Sequence, residues 1–293
     1  MKLLKNLQNE NKIHPPKFLI DNVHYATIMG SMAYGCNTEE SDYDVYGFCI
    51  PTKNDIFPHL DGHIEGFGRQ KKRFDCWQEH HIQHNKKEYD FSIFSIIRYF
   101  HLCMEANPNM VNSLFTPQDC VLHCTKIGQH VRDSRTLFLS KKCLHTFRGY
   151  AFSQIHKLEI KEPQEGTRRA EYVKNFNFDV KFAYHCIRLL LECEQIFQFG
   201  DMDLRRDREI YKSIRRGEWT VQRIKEFFET KEKYLESLYE TSSLPYEPRE
   251  AEIKKLLIEC LEMQYGNLSN VIKCEYRENE DTVLVNKIRQ LLS

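Results

Sequence analysis

The sequence predicts an α+β chain: a small mixed-sheet domain at the amino end, then a helical, bundle-like domain. Up to about residue 125, short β-like runs alternate with turn residues; from Thr125 onward nearly every segment repeats its apolar residues at helical spacing. A further observation says where the chemistry should lie: two aspartates and a glycine-serine pair stand at the ends of two neighbouring β-like runs. The 293 residues suffice for about two domains. These are expected at residues 1–125 and 126–293.

Val23–Met29 is the first apolar run and Tyr43–Ile50 the second, ended by Pro51. Residues 55–87 are polar and rich in Gly, His and Lys, as in an irregular insertion or a weak hairpin. A third run, Glu88–Ile97, should pass into a helix continuing towards Glu105, followed by a turn and short helix in ANPNMVNSLFTP. Leu144, Phe147, Ala151, Ile155 and Leu158 form one helical stripe; Phe176, Val180, Ala183, Ile187 and Leu190 form another, on a helix expected over Glu171–Phe197. Two more amphipathic helices are expected near Thr220–Tyr239 and Pro248–Tyr265, separated by SSLPYEP.

Composition narrows the class. Apolar residues make up 41% and charged residues 29%, a globular balance. Lys+Arg and Asp+Glu are 42 each, so the net charge of zero excludes a strongly cationic nucleic-acid coat while permitting a local basic face. The opening MKLLKNLQNENKIHPP has no apolar core and no small-residue cleavage site of a secretory signal. No run approaches the ~18 apolar residues of a membrane span. Eleven scattered cysteines, mostly in apolar stretches, suit reduced core thiols, so a cytoplasmic setting is expected.

Asp42 and Asp44 are two apart, so in a strand they leave the same face, while Tyr43 and Val45 face the core. Two crowded carboxylates repel unless a cation sits between them. A divalent ion resolves this, and oxygen ligands on a rigid strand suit one Mg²⁺ or a bridged pair. Alone, a D-x-D is usually two solvated acids. Upstream, Gly30-Ser31 should end the first strand and open a short helix stopped by Gly35, a turn suited to phosphate. A calcium-loop reading fails because the twelfth position from Asp42 is Lys53. A third acid should come from a nearby strand; Asp90 lies deep in an apolar run, with Glu88 on the same face as its competitor.

G-S-x-A-x-G followed by S-D-Y-D-V resembles the nucleotidyltransferase signature of the DNA polymerase beta superfamily. More narrowly, the chain resembles the predicted RNA-repair-pathway polymerase-beta-like nucleotidyltransferases of bacteria and phages, to about Gly200. The resemblance implies that residues 1–125 are the catalytic domain and that 126–293 contribute nucleotide contacts. It implies two Mg²⁺ held by Asp42, Asp44 and Asp90, with Asp90 also activating the attacking hydroxyl. Gly30 and Ser31 would hold the triphosphate of an NTP, and the acceptor would be an RNA 3′ end, tRNA-like, with pyrophosphate released. The setting would be the host cytoplasm for a phage-encoded chain. Transfer of a nucleotide to tRNA or to a protein side chain, as in a toxin, is the enzymatic alternative. A nucleotide-binding protein without catalysis is another. A glycosyltransferase also uses D-x-D, but the Gly-Ser turn and third acid argue against it.

A triphosphate also needs cations. Lys174, Asn177, Lys181, His185 and Arg188 recur at spacings of three and four, opposite the apolar stripe. Such a stripe is often only a solvated face. Behind a polymerase-beta-like domain, Lys181 and Arg188 are expected to contact phosphates, and Lys157 is the candidate on the preceding helix. Cys120, His123, Cys124 and, separately, Cys76, His80, His81, His84 lack the paired spacing of a zinc site, so no structural zinc is expected. Basic pairs at Gln70–Arg73, Arg168–Arg169, Arg205–Arg208 and Arg215–Arg216 suit solvated surface, some of it available to RNA.

Overall fold

The computed structural model describes residues 1–39, 41–57, 73–160 and 168–267. Five strands form one mixed sheet: β1 (Val23–Ile28), β2 (Tyr43–Cys49), β3 (Cys76–His84), β4 (Lys87–Ser95) and β5 (Val121–Cys124), in the order β3-β4-β2-β1-β5. The β2–β4 pairing is parallel; β1–β2, β1–β5 and β3–β4 are antiparallel.

Alternation along the strands sends side chains to two separate cores. Ala26, Val45 and Phe91 face a smaller one closed by Leu4 and Leu7 of α1 (Lys2–Asn9) with Ile13 and Leu19. Tyr25, Phe48 and Phe94 face the larger one. That core is built by α4 (Ile96–Met104), α5 (Pro108–Leu114), α6 (Lys126–Asp133), α7 (Lys142–Ile160), α9 (Val180–Phe199), α10 (Arg208–Arg215), α11 (Val221–Thr241) and α12 (Glu250–Tyr265). The short helices α2 (Gly30–Ala33) and α3 (Lys53–Ile56) follow β1 and β2, and α8 (Arg168–Phe176) precedes α9. Strands end at Cys124 and the later described elements are helical, yet the larger apolar core crosses that point. Tyr265 at the end of α12 donates its hydroxyl to the Pro51 carbonyl, tying the last described helix back to the sheet.

Three departures from the sequence expectation have clear causes. The polar stretch 55–87, expected as an irregular insertion or a weak hairpin, holds the first arm of a hairpin, and a stronger one than expected: β3 has nine residues and pairs with β4 through a turn at Asn85 and Lys86, both at positive φ. Polar residues on both faces hid it, because β3 is an edge strand. Residues 58–72 of that stretch, including most of Gln70–Arg73, lie outside the described residues. The short β5, at the opposite edge, carries too few residues for an alternation signal. The helix expected over Glu171–Phe197 is broken: Asn177 adopts φ 63°, and the Asp179 carboxylate caps α9 by accepting from the Lys181 (2.8 Å) and Phe182 (3.3 Å) amides. Lys174 and Asn177 therefore do not continue the face of Lys181.

Candidate active site

The site forms where β1, β2 and β4 meet. The β1 strand ends at Ile28, and the Met29 amide donates to the Asp44 carbonyl at 2.6 Å. The chain then turns through Gly30 at φ +64°, a conformation that favours glycine. A Cβ on residue 30 would lie 2.3 Å from Asp44 Oδ2, so the bare glycine gives that carboxylate its space. Ser31 follows, half-buried, on α2. The Gly30-Ser31 turn and Asp44 are thus in van der Waals contact, as their spacing in the sequence predicts.

Asp44 and Asp90 are Cα partners across the parallel β2–β4 ladder. Asp42 is exposed, one residue before β2, where Tyr43 stacks on Tyr89 with ring centroids 5.1 Å apart. Lys87 approaches the Tyr43 ring and donates to the Glu39 carbonyl, fixing the loop that leads to Asp42. The Asp44 pKa is raised, chiefly by burial; the charges of Asp90 and Asp42 raise it further, while Lys181 and His80 oppose the rise. One half-buried carboxylate therefore senses the other two acids and the lysine expected at the phosphates. The three acids thus act on one another electrostatically, and burial makes the anionic form of Asp44 the less favourable one.

Asp90 is turned towards β3. A bulge between Glu79 and Ile82 sets His81 at φ 60°, and its amide donates to Asp90 Oδ1 at 2.7 Å. His80 Nδ1 stands 3.5 Å from the same oxygen. His81 Nδ1 lies 2.6 Å from Glu88 Oε1. Among the described residues, the trio of potential metal ligands lying within 4.8 Å of one another is His81, Glu88 and Asp90; the expected set of Asp42, Asp44 and Asp90 does not form such a trio, although the charges of Asp42 and Asp90 act on Asp44. Of the two candidates for the third acid, Asp90 pairs with Asp44 across the ladder, while Glu88 joins Asp90 through His81. The sequence raises these two histidines only as zinc candidates, since the bulge that turns them to Asp90 has no local sequence pattern.

The expected cations divide. Lys181 is exposed on the first turn of α9 and acts on Asp44. Lys157 is half-buried near the end of α7. Arg188 is not on an exposed stripe: it is 3% exposed, donates to both carboxylate oxygens of Glu192 (2.9 and 2.7 Å), and lies over the Tyr34 ring at 4.2 Å. Its guanidinium is engaged internally, one helix behind the turn it was expected to serve. Nor are Arg205 and Arg215 merely solvated surface. Arg205 Nη2 donates to the Met32 carbonyl at 3.2 Å, and Arg215 Nη1 to the Cys36 carbonyl at 2.6 Å.

Other expectations meet simpler outcomes. The ten described cysteines are free thiols, most of them buried. Among the described residues, no helix is long and apolar enough to cross a membrane.

Residues 1–255 match the model of the RNA repair pathway DNA polymerase beta family, well past Gly200, where the motif-level resemblance fades. Among solved structures, the chain is similar to a nucleotidyltransferase-like protein from Exiguobacterium sibiricum 255-15, at 11% identity and a TM-score of 0.28, over 97% of this chain and 87% of that one; so slight a likeness carries no argument. A comparison with curated proteins finds no match. With 255 of its 293 residues matched, the chain belongs to the RNA repair pathway DNA polymerase beta family and is a nucleotidyltransferase.

Proposed function

We propose that the protein transfers a nucleoside monophosphate from an NTP to a hydroxyl at an RNA 3′ end, releasing pyrophosphate, with Mg²⁺ as its metal. The observation that carries this reading is the pairing of Asp44 with Asp90 beside the Gly30 turn. In this reading Asp42, Asp44 and Asp90 hold the metal, and Glu88 is joined to Asp90 through His81. Bound there, Mg²⁺ supplies charge stabilisation for the attacking oxygen, the reacting phosphoryl group and the departing pyrophosphate.

The chain's own residues do the rest. Gly30 and Ser31 offer backbone and hydroxyl to the triphosphate, and Lys181 adds a cation on the same side. The Asp90 carboxylate accepts the proton of the acceptor hydroxyl or orients it, held in direction by the His81 amide. Lys157 is assigned to the more distant part of the nucleotide or to RNA. Arg188 is assigned no phosphate, because Glu192 already neutralises it.

The test is a transfer panel: each of four labelled NTPs, with Mg²⁺ and mixed cellular RNA, against an Asp42→Asn control. Label in RNA that depends on Asp42 supports the reading. Label in protein instead of RNA moves the acceptor to a side chain, and no transfer with any NTP refutes catalysis.

A further inference from the structure

Three arginines from residues 188–215 converge on the segment from Gly30 to Cys36. Arg205 donates to the Met32 carbonyl and, through Nη1, to Asp119 at 2.8 Å. Arg215 donates to the Cys36 carbonyl. Arg188 stacks on Tyr34, whose hydroxyl accepts from Asn112 at 3.2 Å, and Asn112 also donates to Glu192 at 2.9 Å. The stems of Arg205 and Arg208 cover Gly35, where a Cβ would meet each at 3.4 Å.

This segment has little support of its own beyond three backbone hydrogen bonds, Tyr34 to Gly30, Gly35 to Met32 and Cys36 to Ser31. Its helix is four residues long, far below what is stable alone. It is bounded by glycines at positive φ, +64° at Gly30 and +66° at Gly35, and glycine adds freedom wherever it stands. Within the segment the Met32 carbonyl accepts the Gly35 amide at 3.2 Å, and a carbonyl oxygen keeps a second lone pair for an outside donor. Guanidinium groups from the helical region add a second donor at the Met32 carbonyl and a donor at the Cys36 carbonyl and, being planar and multiply donating, set direction as well as charge.

We propose that Arg205 and Arg215 are positioning residues: they fix the Gly30–Cys36 turn from behind, so that the helical region sets the shape of the triphosphate cradle. Neither arginine is assigned a contact with substrate. The inference rests on the nucleotidyltransferase reading above, in which the turn holds the triphosphate. It adds that the last part of the fold tunes nucleotide affinity through the turn's carbonyls.

The experiment pairs two readouts on the full chain, for Arg205→Ala, Arg215→Ala and their lysine counterparts. The first is amide hydrogen exchange of residues 30–36 without ligand. The second is KM and kcat for the NTP that the wild type uses. Expected are faster exchange confined to the turn and a KM raised about tenfold, as for loss of an outer partner of a binding group. Each lysine variant, keeping charge and one donor, should fall between alanine and wild type; these also serve if an alanine variant fails to fold. Unchanged exchange in the turn, or a lower melting temperature with KM unaltered, overturns the proposal while leaving the function intact. A wild type that neither binds nor transfers any NTP overturns the function first, and this inference with it.

Discussion

Asp44 and Asp90 face each other across the parallel pairing in a sheet whose other pairings are antiparallel. Parallel partners on adjacent strands lie about 4.8 Å apart and send side chains to the same face, so the register itself creates the conflict between like charges. Burial raises the Asp44 pKa, and the neighbouring acids add to the rise. For an acid whose folded pKa lies above its unfolded value, its contribution to stability is complete below the unfolded value, near 3.8, and is lost as pH rises through the folded one. Asp44→Asn should therefore melt no lower than wild type at pH 7, and its advantage should vanish on acidification. Its transfer rate should fall by about 10²-fold or more. Thermal melts at pH 7 and pH 4, beside the labelled-NTP assay, check both; a variant that is less stable at neutral pH would refute the electrostatic account.

Gly30→Ala adds a single methyl group where φ is +64° and Asp44 Oδ2 would be 2.3 Å away. The backbone conformation alone should cost about 1 kcal/mol, and relief of the clash must displace the Asp44 carboxylate. The expected outcome is a modest fall in melting temperature with transfer reduced at least as severely as in Asp44→Asn. Activity near wild type would show that the turn and Asp44 do not act as one unit.

Lys181 is exposed, so its loss should leave stability unchanged, while it pulls on Asp44 electrostatically. Lys181→Ala should weaken triphosphate binding about tenfold, the scale of one charge-assisted hydrogen bond. It should also raise the Asp44 pKa further, since an opposing charge is gone. Titration calorimetry with a non-hydrolysable NTP measures the first effect, and NMR titration of the Asp44 carboxyl the second. An unaltered affinity would remove Lys181 from the nucleotide site.

How far the sequence reaches depends on the range of the interaction that sets each feature. Asp42, Asp44 and the Gly30 turn were legible because their relation is local: a spacing of two, a glycine before a short helix, and neighbouring strands. Asp90 was reachable as an acid stranded in an apolar run, though its equivalence with Asp44 depends on a parallel register that no local pattern states. Strand β3 was hidden because an edge strand can be polar on both sides, and with it the bulge that brings His80 and His81 to Asp90. Arg188 shows the opposite error. Its spacing placed it with Lys181, but a buried carboxylate four residues on, Glu192, draws it inward. Periodicity separates faces of a helix and cannot tell a solvated arginine from a paired, buried one. The inward turn of Arg205 and Arg215 likewise depends on carbonyls more than 170 residues away.

The Arg188–Glu192 pair should behave as a buried ion pair. Removing one partner strands the other, so Arg188→Met and Glu192→Met alone should each cost about 3–5 kcal/mol, whereas the double substitution should recover most of that loss. A double-mutant cycle by denaturant unfolding measures the coupling. If the single and double variants lose stability additively, the two side chains are packing elements rather than a charge pair.

His24 links stability to pH through the strand that leads into the Gly30 turn. Its side chain is buried on β1, with Nδ1 3.0 Å from Thr125 Oγ1 and the Gln264 side chain also beside the ring. Burial, with the nearby His123, lowers its pKa from 6.5 to about 4, so the ring is neutral in the fold. An unfolded chain takes up the proton at pH 6.5 and the folded one does not. Stability from this residue is thus complete above pH 6.5 and is lost as pH falls towards 4, by up to about 3 kcal/mol. Of the groups that act on the ring, His123 on β5 opposes its protonation and Gln264 favours it, and burial outweighs both. His24→Gln should be less stable than wild type at pH 7.5 yet lose less on going to pH 4.5, so that the two unfolding curves converge. Parallel loss in both proteins over that range would place the acid sensitivity in other groups.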